Sequence, residues 1–516
     1  MGAFRGQCVG GVRKSCPALA LALLAACSGS ACSGSTGVAP GQGTKVPVAS
    51  SAPSAVDSVA TPRICPARVR AADPPGATPP EQISLDYWLA QLGDRADDVV
   101  LDQPHLRAHG QALLLDDEGA PRVVDLAVPL EGERLRQELS ARIGFLRNRL
   151  KEGKYRSESD DTPGVLGRAL EDFRADGELR VALSPVVIRC GPSLAVLRSV
   201  EGDPRFDRNS CSVARAQEPV DVLGRWPDGP RFVRTAFALG FIADDAPLSA
   251  PVPEQLQTAF RSPPAAQVIA EAGLSLDAAA EKPAVRVPPW RFLHGSAGEA
   301  AGTGRVTGPV WAAGPGGFRS IAMTEPGLRS TAAPLTRADL LRAVFRNVGS
   351  PYGWGGQGGG RDCSRLLLDA FRTFGLPLPR ISRAQSKSGS YVVEVPAQAS
   401  ALDRLALLDE ADQRGVVLLH FPGHIMLYLG RDDGGVPRVV HAFAEYVEPC
   451  GDGPKETLYE VERVTVSGLD LGAGSSRRSF LERLTRITVF GAAPGFELAA
   501  FARFRASAPA PLAAPK

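Results

Sequence analysis

Tyr352-Gly-Trp-Gly-Gly-Gln-Gly-Gly-Gly-Arg-Asp-Cys-Ser364 runs directly into the apolar stretch Leu366-Leu-Leu-Asp-Ala-Phe371, and two histidine segments follow, Pro422-Gly-His-Ile-Met-Leu-Tyr-Leu429 and Val439-Val-His441. This places a thiol, Cys363, at the first turn of a predicted helix. A free cysteine titrates near ~8.5 and reacts as its thiolate. Unpaired N–H groups at a helix N-terminus favour that thiolate. A buried cysteine is usually an inert small hydrophobe, but the glycine-rich approach and the flanking Asp362 and Ser364 argue against simple packing here. The histidines can be placed by counting. If Arg431-Asp-Asp-Gly434 is a four-residue turn, His424 lies directly across from His441, with Cβ atoms roughly 5 Å apart. His424 is then the base and His441 the group that orients it. A slip of one residue would put the rings on opposite faces. His420 is set aside, because its strand should break at Pro422-Gly423.

Outward from this segment, Thr336 and Asp339 approximate a capping box. Leu340, Leu341, Val344, Phe345 and Val348 give the next helix its apolar face, and Gly349 sits where a C′ glycine belongs. Residues 416–420, 425–429 and 436–443 read as strands. Between 180 and 250, short alternating runs broken by Gly191-Pro192, Gly202-Asp-Pro204 and Pro227-Asp-Gly229 predict a small β-barrel. A weaker second region of this kind spans 251–333. Within 81–179, Leu135, Leu139, Ile143, Leu146 and Leu150 recur at helical steps between charged residues and predict an amphipathic packing helix.

The chain has 516 residues, too many for one core. Its formal charge of +2 and the lack of a basic block interleaved with aromatics argue against nucleic-acid binding. Arg5, Arg13 and Lys14 precede the apolar run 17–26, which is too short to span a bilayer and reads as a secretory signal. Leu24-Ala-Ala-Cys27 looks like a lipobox, which implies lipid attachment at Cys27 and an exported lipoprotein, outer-membrane anchored. Residues 27–80, rich in Ser, Gly, Ala, Pro and Thr, predict a flexible tether, and 498–516 a disordered tail. Cys190 and Cys211 are a disulfide candidate in an oxidising compartment, contributing about 3 kcal/mol if unstrained. Cys32, Cys65 and Cys450 are unassigned. No CxxC pair points to a metal, and no cofactor is expected.

Residues 334–497 resemble the NlpC-type, papain-like cell-wall cysteine peptidases. The resemblance rests on Tyr352-Gly-Trp-Gly-Gly356, Asp362-Cys-Ser364, Leu378-Pro-Arg380, Gly423-His424 and His441 taken together. It implies a multidomain α+β chain: a signal peptide (1–26), a tether, a helical N-terminal region (81–179), two SH3-like barrels (180–250 and 251–333) and the peptidase domain. This layout is similar to γ-D-glutamyl-L-diamino acid endopeptidases. The resemblance implies attack by Cys363, proton transfer to His424, orientation by His441, and an oxyanion held by Tyr352 and the Cys363 N–H. Trp354, Asp362 and Ser364 would line the substrate cleft, and Asp207 would meet a substrate amine. Arg365 departs from the family pattern, where a glycine is common, and would add bulk and charge beside the nucleophile. The expected partners are peptidoglycan stem peptides and a membrane reached through the lipid. The competing readings are a thiol amidase or acyltransferase on another amide or lipid, and a catalytically silent wall-binding lipoprotein.

Overall fold

The computed structural model describes residues 65–499 except 202, 228, 452, 492–497 and several short stretches between 270 and 326. The predicted signal segment, Cys27, the tether up to residue 64 and residues 500–516 lie outside the described residues.

The first described residues correct the tether. Strand β1 (Arg68–Arg70) pairs in parallel with a strand near the C-terminus, and a disulfide joins Cys65 to Cys450, 385 residues away. Asp73 adds an ion pair to Arg463 at 2.8 Å. Local composition predicts disorder because the ordering contacts are all non-local. The helices α1 (Leu85–Leu92), α2 (Gln103–Leu113) and α3 (Gly132–Lys151) follow, with a shorter helix at Thr162–Arg168. α3 buries Leu135, Leu139, Ile143 and Leu146 against Leu197, Leu223, Phe232 and Phe241 of the β-region that follows. The helix therefore shares one core with that region.

That β-region is a six-stranded antiparallel sheet of β2 (Glu178–Val181), β3 (Val186–Arg189), β4 (Ser210–Ala214), β5 (Pro219–Arg225), β6 (Arg231–Arg234) and β7 (Leu239–Ile242), in the order β2-β5-β6-β7-β3-β4. The Cys190–Cys211 disulfide is present. Residues 251–333 begin differently from the expected strands. Helix α4 (Glu254–Arg261) buries Phe260 against Leu179 and Val181. Beyond it, β8 (Ala266–Val268) pairs with β9 (Phe292–Leu293) and with β12 (Leu328–Ser330), while β10 (Val306–Trp311) pairs with β11 (Phe318–Met323).

In the C-terminal part, α5 (Arg337–Phe345) is capped by the Thr336 side chain, which accepts from the Asp339 N–H. Asp339 does not close the box; its carboxylate meets Arg329 and Arg342. Helix α6 (Cys363–Arg372) starts at the thiol. Then come β13 (Tyr391–Glu394), α7 (Ala401–Arg414), β14 (Val416–Phe421), β15 (His424–Arg431), β16 (Pro437–Pro449), β17 (Glu456–Gly468) and β18 (Arg486–Phe490), with short helices at Ser382–Gln385 and Phe480–Arg483. With β1 they form a seven-stranded sheet, β1-β17-β16-β15-β14-β18-β13. Alternation along the strands divides two cores. Ile425, Leu427, Val440 and Ala442 pack with α5 and α6, while Met426, Val439 and Phe443 pack on the side of α7. Leu498 is fully buried in this second core, so the predicted tail is not free at its first residue.

Candidate active site

The glycine-rich segment brings Tyr352 back to the start of α6. Tyr352 forms a parallel bridge with Arg361, and the Gly353 N–H donates to the Arg361 carbonyl at 3.1 Å. The loop between them turns through positive φ at Gly355, Gly356, Gly358 and Gly359. At Gly355 a side chain is also excluded by space, since a Cβ there would strike the Ser210 hydroxyl of β4. Asp362 is the N-cap of α6, its carboxylate accepting from the Arg365 N–H at 2.8 Å. Arg380 grips the same carboxylate with two nitrogens, at 3.0 and 2.6 Å, and donates to the Ser364 hydroxyl at 2.9 Å. Cys363, 8% exposed, is the free cysteine among the described residues. The N–H groups of Ile425 and Ser364 reach its sulfur. Ile425 directly follows His424, so the thiol stands at the beginning of the strand that carries the histidine.

The hairpin corrects the counted register. Leu427 pairs with Val440 and Tyr428 with Val439, and a bulge precedes the pair Gly430–Arg438. The turn is tied by the Asp432 N–H donating to Val436 and the Gly435 N–H donating to Asp432. Continuing this register sets His441 across from Met426, two residues along from His424. A shift of two keeps both rings on one face, where a shift of one would have separated them. The rings still meet: His424 Nε2 lies 2.7 Å from His441 Nδ1. His420 pairs with Ile425 and so falls on the other face.

Beyond His441, its Nε2 lies 2.9 Å from the Ser467 hydroxyl, which donates to the Gly468 carbonyl at 3.3 Å. The network assigns the tautomers. With its proton committed to Gly468, Ser467 accepts from His441 Nε2–H. His441 Nδ1 then accepts from His424 Nε2–H, leaving a lone pair on His424 Nδ1. The second ring nitrogen of the candidate base is therefore free to take a proton. Phe421, Phe443 and Phe480 wall the pair in, with Phe443 stacked on His441 at 4.0 Å.

These surroundings keep the resting thiol and the two imidazoles neutral. Burial, then the Asp362 charge, pushes the Cys363 thiol up to about 12. Burial, with help from Arg483 and His420, pushes His424 down to about 3. Burial and His424 lower His441 well below the ordinary imidazole value. For Asp362 burial works toward protonation, but Arg380, the Arg365 N–H and Ser364 outweigh it and hold the carboxyl below its usual value. Burial, Cys363 and Asp362 raise Tyr352 well above an ordinary phenol, so its hydroxyl stays a donor.

The six-stranded region forms one wall. Phe206 stacks on Trp354 with centroids 4.7 Å apart and planes at 7°, and its ring lies 5.9 Å from Tyr352. The Trp354 indole N–H donates to the Asp207 carbonyl at 2.8 Å. The Asp207 carboxylate is already held by Arg189 and by the N–H groups of Leu197 and Asn209, so a substrate amine would have to displace these. Arg365 does not crowd the thiol. Its fully buried guanidinium turns to Asp369 and to the Val213 carbonyl. Sequence reasoning missed Ser467, which carries no local signal, and did not see that Phe206 stacks on Trp354. It quoted Arg380 within a motif without seeing the ion pair to Asp362.

Residues 349–443 match the model of the NlpC/P60 family. Over 105 residues the chain is 32% identical to a probable endopeptidase of Mycobacterium tuberculosis, covering 20% of this chain and 26% of that protein. Over 106 residues it is 31% identical to a probable endopeptidase of Corynebacterium glutamicum, covering 20% and 48% respectively. The chain thus spans about a quarter of the length of the mycobacterial relative and about half that of the corynebacterial one. A solved NlpC/P60 endopeptidase from Photobacterium damselae subsp. piscicida superposes with a TM-score of 0.54, covering 78% of this chain and 96% of the other at 15% identity. That likeness is one of fold.

Proposed function

From the premise that residues 349–443 are an NlpC/P60 domain, we propose that this protein is a cysteine peptidase cleaving the γ-D-glutamyl-L-diamino acid bond of peptidoglycan stem peptides. The observation that carries the reading is the ladder Ser467–His441–His424, together with a thiol at a helix N-terminus whose sulfur is reached by the N–H of Ile425, the residue after His424. Cys363 Sγ attacks the γ-glutamyl carbonyl as His424 Nδ1 takes the thiol proton. The two groups rest neutral, so the proton moves in the attack step rather than beforehand. The Cys363 N–H and the Tyr352 hydroxyl receive the oxyanion. The imidazolium returns its proton to the leaving amine, and water attacking through the same base releases the thioester.

We read 180–250 and 251–333 as SH3-like modules. The first borders the cleft through Phe206, stacked on Trp354 of the peptidase domain, where it restricts the substrate's N-terminal side. An exported lipoprotein anchored at Cys27 is supported by the two disulfides, which suit an oxidising compartment. One observation favours a binding-only role instead: the thiol is nearly buried and pushed up to about 12.

The test is to incubate the protein and its Cys363→Ala variant with defined muropeptides and read the products by mass spectrometry. Cysteine-dependent release of L-Ala-D-Glu is expected. Equal turnover by the variant would remove Cys363 from the mechanism. Retention on peptidoglycan without product from the folded, reduced protein would favour the binding role.

A further inference from the structure

One arginine of the six-stranded region grips the part of β17 on which Tyr352 rests. The chain ahead of the glycine loop runs beside that strand. There the Val464 N–H donates to the Ser350 carbonyl and the Tyr352 N–H to the Glu462 carbonyl, both at 2.9 Å. The pairs Phe443–Arg463 and Glu445–Glu460 leave Ala444 of β16 facing two residues of β17, Val461 and Glu462, so a bulge lies at this point. Glu462 has a φ of 52°, a left-handed conformation that residues with a side chain rarely adopt. Such a backbone persists only where its surroundings hold it.

Arg205, on the loop before β4, supplies the hold. Its guanidinium meets Glu462 at 3.0 Å, Glu460 at 2.8 Å and Glu445 at 2.6 Å, and Asp203 of its own loop at 2.7 Å. It thus clips both strands where the bulge ends, and the bulged residue itself. Glu460 has a second cation in Arg68, and Glu445 has one in Arg477. Among the described residues the ion pair of Glu462 is with Arg205. Burial first, then Glu460, Asp203 and Glu445 against the pull of Arg205, raise the Glu462 carboxyl above its usual value. Without the guanidinium those like charges would drive the Glu462 side chain away. The next residue reaches Tyr352 from another side, since the Phe206 ring lies 5.9 Å from the Tyr352 ring and stacks on Trp354. The Arg205 loop therefore bears on Tyr352 through a ring and through the carbonyl that holds its backbone.

We propose that Arg205 is a positioning residue for the reaction, fixing the bulge at Glu462 so that the Tyr352 hydroxyl stands where the oxyanion forms. The inference rests on the peptidase reading above and deepens it. Arg205 acts through Tyr352 and not on the reacting atoms. Its side chain is 32% exposed, and ion pairs so placed contribute little stability. Its loss should be felt in rate and hardly in melting.

Arg205→Met keeps the length of the side chain without its charge. Initial rates of the full-length variant on L-Ala-γ-D-Glu-diaminopimelate should show kcat lower by on the order of tenfold, short of the roughly hundredfold or more lost with an oxyanion donor itself. KM should stay within about twofold, because Tyr352 serves the transition state. In a Tyr352→Phe background the same change should cost less than about twofold, and equal losses in both backgrounds would overturn action through Tyr352. A loss carried by KM would overturn it as well. Hydrogen exchange of a peptide containing Tyr352, read by mass spectrometry, should quicken by at least about tenfold in Arg205→Met. Unchanged exchange with unchanged turnover would overturn the hold and leave the peptidase reading standing. If the natural chain turns over no muropeptide, the peptidase reading fails, and faster or unchanged exchange then decides the hold on Tyr352. If Arg205→Met fails to fold, Glu462→Gln removes the other end of the same contact and carries the same expectations.

Discussion

Replacing Ser467 with alanine tests the tautomer ladder without touching thiol, base or substrate. The serine hydroxyl is the partner of His441 Nε2 at 2.9 Å, and His441 is 1% exposed, so water cannot readily replace it. Without the acceptor, His441 has two options. It can keep its proton on a buried, unsatisfied Nε2, costing about 1–3 kcal/mol. It can instead move the proton to Nδ1, which then faces the Nε2–H of His424 and breaks the 2.7 Å contact. Either route weakens the orientation of His424 by about 1–2 kcal/mol, and at 1.36 kcal/mol per tenfold this lowers kcat by roughly 5- to 30-fold. KM should stay within twofold, since Ser467 lies behind His441. The assay is initial-rate release of L-Ala-D-Glu from L-Ala-γ-D-Glu-diaminopimelate, followed by chromatography, with a thermal melt of the same preparation. Ser467→Thr keeps the hydroxyl and should recover most of the rate. A variant that melts normally and turns over within twofold of the parent would refute the ladder. A loss carried by KM would refute the orienting role.

Arg380→Met leaves the Asp362 carboxylate buried without its clamp; breaking a buried pair costs about 3–5 kcal/mol, so denaturant melts should show a large loss of stability. Acid should destabilise the fold early. Burial pushes His420 and His294 down to about 4 and His424 down to about 3, while in the unfolded chain each titrates near ~6.5. The unfolded state therefore binds more protons below that value, and the stability of the neutral, buried rings is lost as pH falls from about 6.5 toward 3. Each ring contributes a slope of up to about 1.4 kcal/mol per pH unit, and a Tm that stays level between pH 6.5 and 4.5 would contradict this. Cys65→Ser opens a link between residues 385 apart and should cost up to about 5 kcal/mol, with hydrogen exchange rising first at Arg68–Arg70.

Several features were legible because they are local. The helix at α3 follows from the spacing of Leu135, Leu139, Ile143 and Leu146, and the start of α6 from Asp362 ahead of an apolar run. The two histidines share a face because strand alternation has a period of two, and this survived a register that was itself misread. The misreading had a physical source, since the bulge before Gly430 and the turn closed by Asp432 are set by packing and side-chain bonds that residue counting does not contain.

What the sequence determined by itself is the chemistry: a thiol at a helix N-terminus, two imidazoles on adjacent strands and a glycine loop leading to them, all encoded by neighbours a few residues apart. What the tertiary structure alone decided is how those groups are held. Arg380 against Asp362, Ser467 behind His441, Phe206 on Trp354 and Cys65 on Cys450 are contacts between distant segments. The same is true of the β16 and β17 carboxylates gathered on Arg205. Such contacts depend on where the folded core carries each side chain, and no local pattern of propensity or spacing records that.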